Sequence, residues 1–119
     1  MKRLLSLTTI LIGTFLIFSF LVGVSSKASE EEEITKLIET ASTAEDHMKI
    51  AGYFEKQAEK AERKAHSHAS MSKLYKERSK PLEGLAKHCS NLAEKYEESA
   101  EEYRAMAMEH RKMAEETNK

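Results

Sequence analysis

Five alanines recur every seven residues near the end of this 119-residue chain: Ala86, Ala93, Ala100, Ala107 and Ala114. Seven residues make about two turns of an α-helix, so these alanines form one line along a helix. A seven-residue repeat is typical of helices that pack along their whole length. Because alanine carries only a methyl group, the line predicts a close approach to a second helix.

Two further sets of residues follow the same repeat, with spacings that alternate between four and three. Beside the alanines, the set is Leu85, Cys89, Leu92, Tyr96, Ser99, Tyr103, Met106, His110 and Met113. Earlier in the chain, the set is His47, Ala51, Phe54, Ala58, Ala61, Ala65, His68, Ser72 and Tyr75. This spacing is the pattern of a coiled-coil seam. We therefore expect two long helices that face each other along these sets.

Turn and capping signals give the ends of the two helices. Pro81 and Gly84 lie together in the stretch RSKPLEG, the strongest turn signal in the chain. Thr43 is followed three residues later by an acidic residue, which is typical of a helix N-terminus. We predict an all-α, antiparallel two-helix hairpin with long helices over about 43–79 and 83–116.

The turn also predicts which residues of the two helices meet. Folding the chain about residue 82 places Tyr75 opposite Cys89, His68 opposite Tyr96, Ala61 opposite Tyr103, and Phe54 opposite His110. A short amphipathic helix precedes the hairpin, with apolar residues Ile34, Leu37, Ile38 and Ala41. Its phase does not continue the seam, so we expect a break near Ser42–Thr43.

The first 28 residues have the layout of a secretory signal peptide. A short positive start at Lys2 and Arg3 precedes an uncharged run over 4–24, and small residues end the segment at Ala28. We expect cleavage after Ala28. The alternative is an uncleaved inner-membrane anchor, because about 20 apolar residues can span a bilayer. Both interpretations put the rest of the chain outside the cytoplasm, in the periplasm or extracellular space.

The predicted organisation is a signal peptide over 1–28, an acidic and partly helical segment over 29–42, and the helical hairpin over 43–119. Outside the signal peptide, 16 of the 19 basic residues remain against 20 acidic residues. This balance argues against a nucleic-acid partner. Contact with a membrane is expected only through an uncleaved signal segment.

A hairpin so rich in alanine buries little apolar area, and small domains of this kind need a staple or a partner. We therefore predict a homo-oligomer, in which dimerisation completes a helical bundle. The expected interface is the alanine face of the second helix.

The stretch KAHSHASM brings two histidines close together in sequence, but His66 and His68 point about 200° apart on a helix and cannot hold one ion. A better metal set is Met106, His110 and Met113, which share one face, with His47 and Met48 approaching from the other helix. Thioethers with imidazole suit copper as Cu(I). The alternative is plain core packing, since methionine often fills gaps between helices. Secondary candidate ligands are His68, Met71, His88 and Cys89.

Cys89 is the one cysteine, so it cannot form an internal disulfide. The alternatives for it are a buried thiol, an intermolecular disulfide and a metal ligand. The sequence contains no CxxC, HExxH, phosphate-binding glycine loop or nucleophile elbow. We therefore expect no enzyme activity, no catalytic residues and no cofactor apart from the copper alternative.

Three stretches, AEDHMKIAGYFEKQA, MSKLYKE and KHCSNLAEKYEESAEEYRAMAMEHRKMA, carry a resemblance over about residues 43–114. The chain resembles a loose set of small, uncharacterised exported bacterial alanine-rich helical-hairpin proteins. The shared features are the helix start over 44–47, the His88–Cys89 pair, Tyr96 and His110. The resemblance implies an exported helical hairpin and carries no activity, so no site is transferred from it.

These observations together predict a non-enzymatic exported helical protein that acts through its surface or its assembly, in cell-envelope maintenance or stress. The alternative function is a periplasmic copper-binding protein that uses histidine and methionine ligands.

Overall fold

A computed structural model describes residues 29–119 and contains three helices: α1 (Glu30–Thr40), α2 (Ala44–Glu77) and α3 (Glu83–Thr117). The long helices α2 and α3 pack against each other along their length, and α1 packs against α2. The predicted all-α hairpin with a short N-terminal helix is confirmed, with ends within two residues of those expected. The predicted signal peptide over 1–28, including Ala28 at its predicted cleavage site, lies outside the described residues.

Side-chain caps fix where α1 and α2 begin. The Ser29 hydroxyl accepts a hydrogen bond from the Glu32 amide at 3.2 Å. At the start of α2, the Thr43 hydroxyl accepts from the Asp46 amide at 3.1 Å, and the Asp46 carboxylate accepts from the Thr43 amide at 3.0 Å. This reciprocal pair is a capping box, which satisfies two amides that have no partner inside the helix. It explains the break that the sequence predicts at Ser42–Thr43.

The turn between α2 and α3 is held by two hydrogen bonds that join the helices. The Leu82 amide donates to the Tyr75 carbonyl at 3.0 Å. The buried Ser72 hydroxyl donates to the Ala86 carbonyl at 2.8 Å. Pro81 cannot continue a helix from the preceding residues, so the chain reverses and α3 begins at Glu83.

Alanine makes up most of the core. Within residues 29–119, nine of the eleven buried hydrophobic residues are alanines, and the other two are Ile50 and Phe54. On α3 the buried residues are the five alanines of the seven-residue repeat, Ala86, Ala93, Ala100, Ala107 and Ala114. These five are called the alanine ladder below. Ala51, Ala58, Ala61 and Ala65 are their buried counterparts on α2.

The α3 side of the predicted seam is partly wrong. Leu85, Leu92, Met106 and Met113 are 41–47% exposed, whereas the alanine ladder beside them is buried. The contact between the helices therefore runs along the ladder, because methyl groups allow a close approach that leucine and methionine would prevent. The predicted dimer interface on the alanine face is wrong for the same reason, since α2 of the same chain already covers that face.

Two aromatic pairs confirm the predicted alignment of the helices. The rings of His68 and Tyr96 stack with centroids 5.5 Å apart, and those of Phe54 and His110 stack at 6.0 Å. Folding the chain about residue 82 predicts both pairs. The alignment is therefore the same in the half near the turn and in the half near the chain ends.

Helix α1 folds back onto the start of α2. Leu37 and Ala41 pack against the cluster around Ile50 and Phe54. At the other end of α1, the Glu30 carboxylate accepts a hydrogen bond from the Lys56 ammonium at 2.9 Å. This contact covers one face of the hairpin near its open end and leaves the half nearer the turn uncovered.

Candidate functional site

Two histidines meet across the open end of the hairpin. His47 lies in the first turn of α2, directly after the capping box, and His110 lies near the end of α3. Their Nδ1 atoms are 3.2 Å apart, and the ring centroids are 5.4 Å apart. One ring can donate and the other accept in a hydrogen bond, with the roles set by the tautomer of each ring. The sequence predicts that His47 approaches from the other helix in the same half of the hairpin, and the structure places it against His110.

Aromatic rings hold His110 in place. Phe54 stacks on His110 and also on Tyr103, with centroids 6.0 and 6.2 Å apart. This burial lowers the pKa of His110 below its ordinary value of 6.5, and the nearby His47 lowers it further. Both effects favour the neutral imidazole, which has a free nitrogen lone pair.

The methionines of the predicted metal set lie at the surface rather than in a packed core. Met106 and Met113 are both 42% exposed. They lie four residues before and three residues after His110, so they share its side of α3. Met48 is half exposed and points about 100° away from His47 on α2, since adjacent helical residues diverge by that angle. The structure therefore brings His47 and His110 together, with Met106 and Met113 beside them.

The secondary candidates do not converge. His68 is half-buried beneath Tyr96, and its buried Nδ1 has no hydrogen-bond partner within residues 29–119. Met71 and His88 are exposed, and Cys89 is half-buried with a free thiol. Among the described residues, no group of three or more histidine, cysteine, aspartate or glutamate side chains could hold a metal ion.

One broad face of the hairpin carries interhelical ion pairs. Arg104 bonds to Glu62, and Arg111 bonds to Glu55. These pairs join α3 to α2 across the contact made by the alanines. Met108 is exposed on the same face, beside the two arginines. We call this the ion-pair face.

The opposite face contains a groove at its centre and an apolar surface near the turn. The groove holds about 420 Å³, and its lining includes Lys60, Lys64, Tyr96 and Ser99. Lys64 lies over the Tyr96 ring, 5.2 Å from its centroid. Met71, Leu74 and Leu92 lie seven residues closer to the turn than Lys64, Ser67 and Ser99 of the groove, and Leu85 lies seven residues beyond Leu92. The seven-residue spacing puts all four on the same face, where they are 41–65% exposed. We call these four residues the leucine–methionine surface.

Sequence reasoning missed the ion pairs and the leucine–methionine surface. The ion pairs lie at positions that flank the seam, where coiled-coil helices often place opposite charges, so that signal was present. The four–three spacing places Leu85 and Leu92 in the seam, so it gives no sign that they are exposed.

Within residues 29–119, no helix is both long enough and apolar enough to cross a membrane. No family model, curated protein or solved structure gives a significant match to this chain.

Proposed function

We propose that this chain is a non-enzymatic exported helical protein whose working form is a homodimer, with a second copy covering the leucine–methionine surface. The observation that carries the proposal is the exposure of Met71, Leu74, Leu85 and Leu92 together on one face. Contiguous exposed apolar residues on a small soluble protein are typical of a protein contact. Dimerisation through them gives a four-helix bundle at the turn end.

The small core supports this assignment. Ile50 is the one large side chain that is fully buried within residues 29–119. Alanine methyl groups contribute little hydrophobic stabilisation compared with leucine or phenylalanine, because the effect scales with the apolar area buried. The largest apolar side chains near the turn are instead at the surface. A second copy that buries them supplies the apolar contact that a single hairpin lacks.

The charges beside this surface favour one arrangement of the two copies. Lys60 and Lys64 line the α2 side of the groove, whereas Glu98 and Glu102 lie next to Ser99 on the α3 side. A two-fold axis parallel to the helices sets α2 of each copy over α3 of the other, at the same level. The lysines then face the glutamates, and the apolar residues meet each other.

The reverse arrangement, in which the turn of one copy lies over the open end of the other, is unfavourable. It sets Lys60 and Lys64 of one copy over the same lysines of the other. It also sets the leucine–methionine surface over the acidic start of α1. The dimer therefore has both turns at the same end.

The test is the mass of the exported protein in solution, measured by light scattering and sedimentation. The wild-type protein should be a dimer, and Leu92→Glu should be a monomer, because burying an unpaired carboxylate against a second copy is unfavourable. Met108→Glu is the matched control. It puts the same charge on an exposed apolar residue of α3, but on the ion-pair face, and should remain dimeric.

A wild-type monomer at every concentration tested would contradict the proposed dimer. If the Leu92→Glu and Met108→Glu dimers dissociate equally, the interface does not lie at the leucine–methionine surface. Circular dichroism of both variants checks that each retains its helices, since Leu92 is not part of the alanine contact.

The proposed setting of this dimer is the periplasm or the extracellular space, in cell-envelope maintenance or stress. The signal-like N-terminus over 1–28 supports the location. The absence of a catalytic motif from the sequence supports action through surface and assembly.

A further inference from the structure

We infer that His47 and His110 form a metal site for a tetrahedral d¹⁰ ion, with Met113 as the soft ligand that selects Cu(I) over Zn(II). The site joins the first turn of α2 to the end of α3. It lies at the open end of the hairpin, away from the leucine–methionine surface. The metal site and the proposed dimer can therefore be tested independently.

The distance between the two ring nitrogens carries the inference. Two imidazole nitrogens on one tetrahedral ion, each about 2.0–2.1 Å from it, are about 3.3 Å apart. By the same geometry, a linear ion would separate them by about 4 Å and a square-planar ion by about 2.9 Å. The observed separation of the Nδ1 atoms is 3.2 Å. The two rings thus stand at a tetrahedral ligand spacing without any change in the helices.

Stacking on Phe54 holds the His110 ring in place as a ligand, with centroids 6.0 Å apart. A metal ligand must be the neutral imidazole, with its proton on the other ring nitrogen. The Nδ1 atoms are the pair that lie 3.2 Å apart, so in a complex each ring would carry its proton on Nε2. Phe54 also restrains the ring by stacking, which reduces the ordering that binding requires.

The remaining two positions of a tetrahedral ion would be filled by thioethers or water. Met113 lies one helical turn beyond His110 on the same side of α3, and its side chain is 42% exposed and free to rearrange. Met106 lies one turn before His110 with the same exposure. A thioether is a soft ligand and prefers Cu(I), whereas water in its place suits Zn(II).

The experiment is a competition titration with a chromogenic chelator, using the exported protein purified without an affinity tag. Cu(I) and Zn(II) are titrated separately into wild type, His47→Ala, His110→Ala and Met113→Leu. His66→Ala is the matched control, because His66 is an exposed histidine of α2 on another side of the helix.

Wild type should bind one Cu(I) per chain. His47→Ala and His110→Ala should each lose at least about tenfold in affinity for both ions, because each removes a ligand. Met113→Leu should lose affinity for Cu(I) alone, since leucine keeps the apolar volume but removes the sulfur. His66→Ala should bind both ions like wild type. X-ray absorption of the wild-type Cu(I) complex should show imidazole nitrogen and sulfur neighbours, a readout that needs no variant to fold.

Several results would overturn this site. Absence of binding in wild type, or equal affinities in all five proteins, would reduce the pair to a hydrogen-bonded contact between helices. Full Cu(I) affinity in Met113→Leu, together with no sulfur signal in the absorption spectrum, would refute the selection of Cu(I) by Met113.

Discussion

Replacing Ala100 with leucine should destabilise the hairpin because the two helices are in close contact there. Ala100 is 1% exposed and lies at the level of Ala61 and Ala65 in the alignment set by the His68–Tyr96 pair. Leucine adds three carbon atoms where the facing residues are alanines. The helices must move apart or the new side chain must take a strained rotamer, and overpacking of this kind costs about 1–3 kcal/mol.

This loss of stability can be measured as a decrease in the midpoint temperature of thermal unfolding. For a domain of this size, 1 kcal/mol lowers the midpoint by roughly 4–8 °C. Ala100→Leu should therefore unfold at least roughly 4 °C below wild type, as followed by circular dichroism at 222 nm. Ala93 lies about 10.5 Å away along α3, so the double substitution should cost about 2–6 kcal/mol by near-additivity.

Ala105→Leu is the matched control for this experiment. Ala105 is exposed on the same helix, so the same substitution adds no buried atoms, and its effect should stay within about 0.5 kcal/mol. Measurement at two protein concentrations separates destabilisation of the hairpin itself from weaker dimerisation. Only weaker dimerisation makes the midpoint depend more strongly on protein concentration. Equal midpoints for Ala100→Leu and Ala105→Leu would refute the close alanine contact.

Three further predictions concern other parts of the chain. The intact mass of the exported protein should correspond to a chain that begins at Ser29, whereas a full-length chain in the inner membrane would support the anchor. Ser72→Ala should lower the free energy of unfolding by about 0.5–1.5 kcal/mol, because it removes a buried hydrogen bond, while the exposed Ser70→Ala should change it little. Glu30 should titrate below its ordinary pKa of 4.5, because the hydrogen bond and the charge of Lys56 favour the carboxylate. This pairing stabilises the docked α1 above pH 4.5 and is lost as the pH falls through the lowered pKa. Lys56→Met should raise the pKa of Glu30 towards 4.5 in an NMR titration, and an unchanged pKa would contradict the pairing.

The helices and their alignment could be predicted because each depends on local or repeating signals. Thr43 and Asp46 form a cap that is readable from four consecutive residues, and the short turn around Pro81 leaves one way to align the two helices. Counting outwards from the turn was enough to pair Phe54 with His110. The same counting puts His47 only in the same half of the hairpin as His110, opposite Thr117, so the contact between the two histidines is known from the structure.

The errors in the predicted seam concern which residues of α3 are buried against α2. A seven-residue repeat says which residues lie in line, but three adjacent lines on α3 were all candidates for the buried position. Which of these lines is buried depends on how closely the two helices approach. That distance is set by the side chains of both helices together. Because the facing residues of α2 are small, the alanine ladder packs against them, and Leu92 and Met113 remain at the surface. The docking of α1 through Glu30 and Lys56 also depends on distant residues and had no local signal.

The alanine ladder also limits how the length of this hairpin can change. Every rung is chemically identical, so deletion of seven residues from each helix at the same level would restore the same contact with one rung fewer. Deletion of seven residues from one helix alone would keep alanine beside alanine but would shift the pairs formed by Phe54 or His68, depending on the site. Lineages and designs based on this hairpin can therefore lengthen or shorten it in matched steps of two turns per helix, about 10.5 Å each.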